Sequence, residues 1–106
     1  MKPRRLISLL QAVLLASVLI VAGCETAPPV QEMSDARQAI AVAKEAGAEQ
    51  RASIHLKAAE FYLKSAEDKI NERQFQQARD DARQAKIKAL DALRVAEASA
   101  GDEPDE

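Results

Sequence analysis

Tryptophan is absent from this chain of 106 residues, and its aromatic side chains are only Phe61, Tyr62 and Phe75. A core built here must therefore consist mainly of Ala, Leu and Ile. There is one cysteine, Cys24, so no internal disulfide can staple the fold. There is one histidine, His55, flanked by Ile54 and Leu56. A metal centre needs several ligands at suitable spacing, so His55 is expected to be a surface or half-buried structural residue, with no metal bound. A Gly-rich phosphate loop and a Ser-His-Asp order are also missing. No catalytic residues, no cofactor and no enzymatic activity are expected. The formal net charge of -2 offers no basic patch, which argues against a nucleic-acid partner.

What is present begins with a leader. Met1-Lys2-Pro3-Arg4-Arg5 is basic, and Leu6 to Val21 is apolar apart from Ser8, Gln11 and Ser17. A permanent membrane helix usually needs ~20 apolar residues. This run is shorter and ends in small residues at Val21-Ala22-Gly23-Cys24, which predicts a removable signal peptide over residues 1–23. An uncleaved N-terminal anchor is the alternative. Cleavage before Cys24 leaves 83 of the 106 residues, with 12 basic and 17 acidic side chains and a net charge of -5. That is enough for one small domain with a thin core.

Residues 24–32 read as a tether, because Pro28-Pro29 favours an extended stretch. A helical domain is expected over residues 33–99. Helix one starts near Met33 or Ser34 with Ser34 or Asp35 as cap. It places Ala36, Ala39, Ala43 and Ala46 on one face beside Ile40, and ends at Gly47. Helix two runs from Gln50 or Ala52 to Ile70, along the seam Leu56, Ala59, Leu63, Ala66 and Ile70. Glu60 and Lys64 are spaced to pair on its surface.

A turn is expected over Asn71-Glu72-Arg73-Gln74, with Asn71 as the left-handed cap; one continuous helix from Ala52 to Ala98 is the alternative. Helix three runs from Gln74 to Ser99 on a ladder of Phe75, Ala78, Ala82, Ala85, Ala89, Ala92 and Ala96. Gly101 and Pro104 stop it, and residues 100–106 form a solvated acidic tail. The fold expected is all-α: a three-helix antiparallel bundle with Ala-rich seams, which bring backbones close while each residue buries little surface.

Two charged groups call for comment. Asp80 and Asp81 are adjacent, so a helix points them about 100° apart, which suits solvation better than joint acid–base work. Arg79, Arg83 and Lys86 share one face, which suits an ordinary solvated surface or contact with headgroups or peptidoglycan carboxylates.

Three resemblances follow from these residues. Val21-Ala22-Gly23-Cys24 after its apolar run resembles the bacterial lipobox. The resemblance implies that Val21, Ala22 and Gly23 are recognised by a dedicated signal peptidase and that Cys24 carries diacylglycerol as a thioether. Glu25, in place of the Asp associated with inner-membrane retention, implies the outer membrane. Ala36-Arg37-Gln38-Ala39-Ile40, Ala43-Lys44-Glu45-Ala46-Gly47-Ala48, Leu56-Lys57-Ala58-Ala59 and Leu63-Lys64-Ser65-Ala66, completed by the Ala78–Ala89 ladder, resemble the small Ala-rich lipoproteins grouped as domain of unknown function 4398. That family name implies no activity. Gln74-Phe75-Gln76-Gln77-Ala78 with Ala82 and Ala85 resembles the turn and second helix of a tetratricopeptide hairpin, where an aromatic precedes a small residue by three positions.

Together these imply a lipid-anchored envelope protein acting as a helical binding or adaptor module. Its expected partners are the membrane, through lipid on Cys24, and an envelope protein or peptidoglycan. The alternative is a structural alanine-zipper coiled coil of the outer membrane, with the Ala ladder as its oligomer seam. The acidic end Asp105-Glu106, without a terminal Lys, and the two expected breaks weigh against it.

Overall fold

The computed structural model describes residues 3–22 and 27–102, with side chains for 3–16 and 27–102. The described residues are all-α, with five helices and no strand: α1 (Pro3–Ala22), α2 (Val30–Glu45), α3 (Ala48–Arg51), α4 (Ser53–Asn71) and α5 (Phe75–Gly101). At 1.5 Å per residue, α2, α4 and α5 are about 24, 28 and 40 Å long.

The alanine periodicity dictates how these helices meet. In α5, Ala78, Ala82, Ala85, Ala89, Ala92 and Ala96 are all fully buried, as the ladder predicts. They face Ala36, Ala39, Ile40 and Ala43 of α2 and Leu56, Ala59 and Ala66 of α4, all buried too. Leu63 and Ile70, expected on the α4 seam, are half-buried and pack against the smaller cluster of Met33, Ala66 and Ala82. A methyl group needs little room, so such faces allow interaxial distances near the short end of the usual ~8–10 Å.

Cross-helix ion pairs fix the directions. Arg37 meets Glu67 at 3.3 Å and Lys44 meets Glu60 at 3.0 Å, so α2 and α4 run oppositely. Arg79 meets Glu32 at 3.2 Å and Lys86 meets Asp35 at 3.9 Å, so α2 and α5 run the same way. Lys69 reaches Asp81 at 2.5 Å across the α4–α5 turn. The Glu60–Lys64 expectation is corrected by these contacts. Glu60 takes Lys44 of α2, and Lys64 turns to Asp68 at 2.7 Å.

The breaks fall where expected, though not always on the expected residue. Gly47 ends α2 with φ 87, and its N–H donates to the Lys44 carbonyl at 3.0 Å. A side chain has room there, with the nearest atom Arg51 Cδ at 3.8 Å, so the positive φ is what requires glycine. The chain then makes the short α3 before α4 begins at Ser53, a separate turn that periodicity did not reveal.

The break after α4 is present, but the left-handed residue is Arg73 (φ 60), while Asn71 is still helical. The Arg73 N–H donates to Ile70 O at 3.0 Å and the Gln74 N–H to Lys69 O at 2.8 Å. That pair of bonds is a Schellman motif, which satisfies the last carbonyls of α4.

The N-terminal boundary is also corrected. α2 begins at Val30, with Pro29 as the capping position and no side-chain cap, so Ser34 and Asp35 lie inside the helix. Proline tolerates a helix start because the missing N–H would find no partner there. α5 continues to Gly101 instead of stopping at Ser99.

Candidate functional site

The stretch Val21-Ala22-Gly23-Cys24 is described only in its first half. Val21 and Ala22 close α1. Gly23 and Cys24 fall outside the described residues, so the lipidation assigned to Cys24 and the recognition assigned to Val21, Ala22 and Gly23 rest on the sequence.

The surroundings of the site are well defined. α1 packs against none of the other helices among the described residues. Leu6, Ile7, Leu9, Leu10, Val13, Leu14 and Leu15 are between 54% and 69% exposed, an apolar surface covering most of its circumference. No described helix is long and apolar enough to cross a membrane.

Just past Cys24 the chain locks onto the bundle. Pro29 is fully buried, and the Val30 N–H donates to Pro28 O at 2.9 Å. Arg79 of α5 organises this corner. Its Nη2 donates to the Ala27 carbonyl at 3.4 Å, its Nε to Glu32 at 3.2 Å and its Nη1 to Gln76 at 3.2 Å. The guanidinium fork suits such a junction, because it offers five donors in one plane. The segment expected to be tether is thus, from Ala27 on, fastened to α5 or part of α2.

The basic row is internally engaged. Glu32 lies 4.0 Å from Arg83 as well as 3.2 Å from Arg79, and Arg83 lies 4.0 Å from Asp80. Gln31, Glu32, Asp35, Ala82, Arg83 and Lys86 line an open groove of about 230 Å³ along the α2–α5 seam. Three cations meet acids of α2, which leaves less charge for a headgroup or a carboxylate ligand than the row suggests in isolation.

Asp80 and Asp81 diverge as expected. Asp80 is exposed, while Asp81 turns in toward α4. It accepts Ser65 Oγ at 2.6 Å and Lys69 Nζ at 2.5 Å. Burial is the largest influence on its carboxyl and opposes ionisation. The hydrogen bonds from Lys69 and Ser65, with the Lys69 charge, outweigh burial and hold the carboxyl below its ordinary range. Asp81 is therefore a structural clasp between α4 and α5. On the other side, the hydrogen bond and charge of Glu60 raise the Lys44 ammonium above its ordinary value.

His55 is half-buried at the far end of the bundle. With Asp91, Arg94, Val95 and Ala98 it lines an open groove of about 300 Å³. Ile54, 82% exposed, borders the same region. Asp91 is engaged by Arg94 one turn along α5. No group of three His, Cys, Asp or Glu residues among the described residues is placed to hold a metal ion.

Sequence reasoning did not find the Arg79–Ala27–Glu32 junction. The partners of Arg79 are 47 and 52 residues away, and only the register of α2 on α5 unites them. No family model, curated protein or solved structure matches the chain.

Proposed function

We propose that this chain is a lipoprotein of the cell envelope, anchored in the outer membrane through diacylglycerol on Cys24, and that it works there as a non-catalytic helical binding or adaptor module. The observation that carries this is the contrast at the Val21-Ala22-Gly23-Cys24 junction. On one side the described large apolar side chains of α1, from Leu6 to Leu15, are more than half exposed; on the other, α2 to α5 bury their seams in one another. A leader destined for removal has that property, because its apolar face serves the export machinery and not the fold.

The helical part is, in this proposal, a three-helix antiparallel bundle. The turn into α5 follows the tetratricopeptide-like spacing of the resemblance. Half-buried Phe75 and fully buried Ala78 and Ala82 support that local packing. The zipper alternative needs the alanine ladder of α5 free to meet other copies. That ladder is covered within one chain by α2 and α4, which favours the adaptor.

Replacing Cys24 by Ala is the test. The variant is expected to leave the membrane fraction, or to persist as an unlipidated precursor retaining residues 1–23. A Cys24→Ala protein of mature mass that stays firmly on membranes contradicts the anchor. Two or three acyl chains suffice for stable attachment, whereas one is marginal.

A further inference from the structure

We propose that the leash between lipid and bundle is too short to let the domain tumble, so the bundle stands end-on at the bilayer with the α4–α5 turn facing the headgroups and the α3 end projecting away. This rests on lipidation at Cys24.

The geometry is simple. Arg79 fixes the Ala27 carbonyl, and Pro29 is buried. From Cys24 to Ala27 there are three residue steps, which span no more than about 11 Å even when fully extended. Arg79 itself lies four residues into α5, about 6 Å along the helix from Phe75. The lipidated residue is therefore confined near the end of the bundle that carries Asn71, Glu72, Arg73 and Gln74. The opposite end, with α3 and the start of α4, lies a full α4 length away, about 28 Å.

Charge disfavours lying flat. α5 ends at the far end, at Gly101, and the sequence runs on from there as Asp102-Glu103-Pro104-Asp105-Glu106, acidic groups that anionic headgroups repel. The near end is balanced, since Lys69 meets Asp81 and Arg79 meets Glu32. The consequence is directional: the groove beside Ile54, His55 and Val95 is presented to the aqueous side, away from the bilayer.

The experiment uses the full lipidated protein in vesicles of phosphatidylethanolamine and phosphatidylglycerol, a few per cent of whose headgroups carry a nitroxide. Lipidation consumes the Cys24 thiol, so a fluorophore reacts only at an introduced cysteine. Glu72→Cys reports the near end and Gln50→Cys the far end; both positions are exposed. Quenching at residue 72 is expected to exceed that at residue 50 by at least about threefold. Inserting about 12 Gly/Ser residues between Thr26 and Ala27 is expected to abolish most of the difference, because such a linker is a flexible coil. Equal quenching at both positions, or a contrast that survives the insertion, overturns the short-leash orientation while leaving the anchor intact. Intact mass on the same samples separates the two ideas: a free Cys24 thiol overturns the lipoprotein reading and the orientation with it.

Discussion

α1 and α5 are both long, regular helices, yet they treat apolar surface in opposite ways. α1 carries Leu, Ile and Val on most sides and buries none of those described. α5 buries the line Ala78, Ala82, Ala85, Ala89, Ala92 and Ala96 completely, while Ile87, Leu90 and Val95 beside it and the alanines Ala98 and Ala100 at its end stay exposed. Hydrophobicity alone does not make a core. What matters is that the apolar groups form one stripe, and that a neighbouring helix has a complementary stripe at the right distance. The α5 stripe meets α2 and α4, whereas the α1 surface has no such counterpart among the described residues.

The largest effect expected from breaking that contrast comes from a charge on the stripe. Ala89 is fully buried between Ile40, Ala43, Leu56 and Ala59 in the larger core cluster. Ala89→Asp strands a carboxylate there, at a cost of several kcal/mol. A domain of this size holds only about 4–12 kcal/mol in all, so circular dichroism is expected to show an unfolded or barely folded chain. Leu10→Asp, in α1, is expected to leave the helical melting transition of the bundle unchanged and, on the proposed reading of α1 as a leader, to impair membrane targeting instead. A bundle destabilised by Leu10→Asp would mean that α1 belongs to the core.

A smaller effect is expected at the clasp between α4 and α5. Asp81→Asn removes a charge-assisted bond and is expected to cost about 1.5 kcal/mol at neutral pH. The folded carboxyl titrates below its ordinary value of 3.8. Its contribution is therefore complete above about pH 5 and is lost as the pH falls through the folded pKa, so the two proteins should converge in acid. Denaturant titrations at several pH values check this; a gap that widens in acid contradicts it.

The smallest effects lie at the two turns, and they should have opposite signs. Gly47 and Arg73 both have positive φ, yet only one is glycine. Gly47→Ala is expected to lower stability by about 1 kcal/mol, and Arg73→Gly to raise it by about 0.5 kcal/mol. Thermal melts of the pair measure this directly.

These same residues show what the sequence could and could not convey. The seam from Ala78 to Ala96 was legible in full, because burial of small residues at steps of three and four leaves a period that a single helix displays alone. Gly47 was legible for the same reason: its role is local. Arg73 was missed because residue preference favours Asn at a left-handed cap, and the tertiary turn overrode it. The start of α2 was missed because Pro28-Pro29 suggests extended chain equally well on either side of a helix start. The pairs Arg37–Glu67, Lys44–Glu60 and Arg79–Glu32 depend on register between helices, which no local pattern encodes. Of the candidate site, the lipidation proposed at Cys24 rests on four residues and their context alone. The Arg79 junction that holds the chain just beyond it emerged only once α2 lay on α5.

Intact-mass spectrometry of the protein purified from membranes tests the central proposal most directly. A chain beginning at Cys24, with the added mass of a diacylglycerol thioether and in part an N-acyl group, is the result expected. A species that keeps residues 1–23 and an unmodified Cys24 would contradict it.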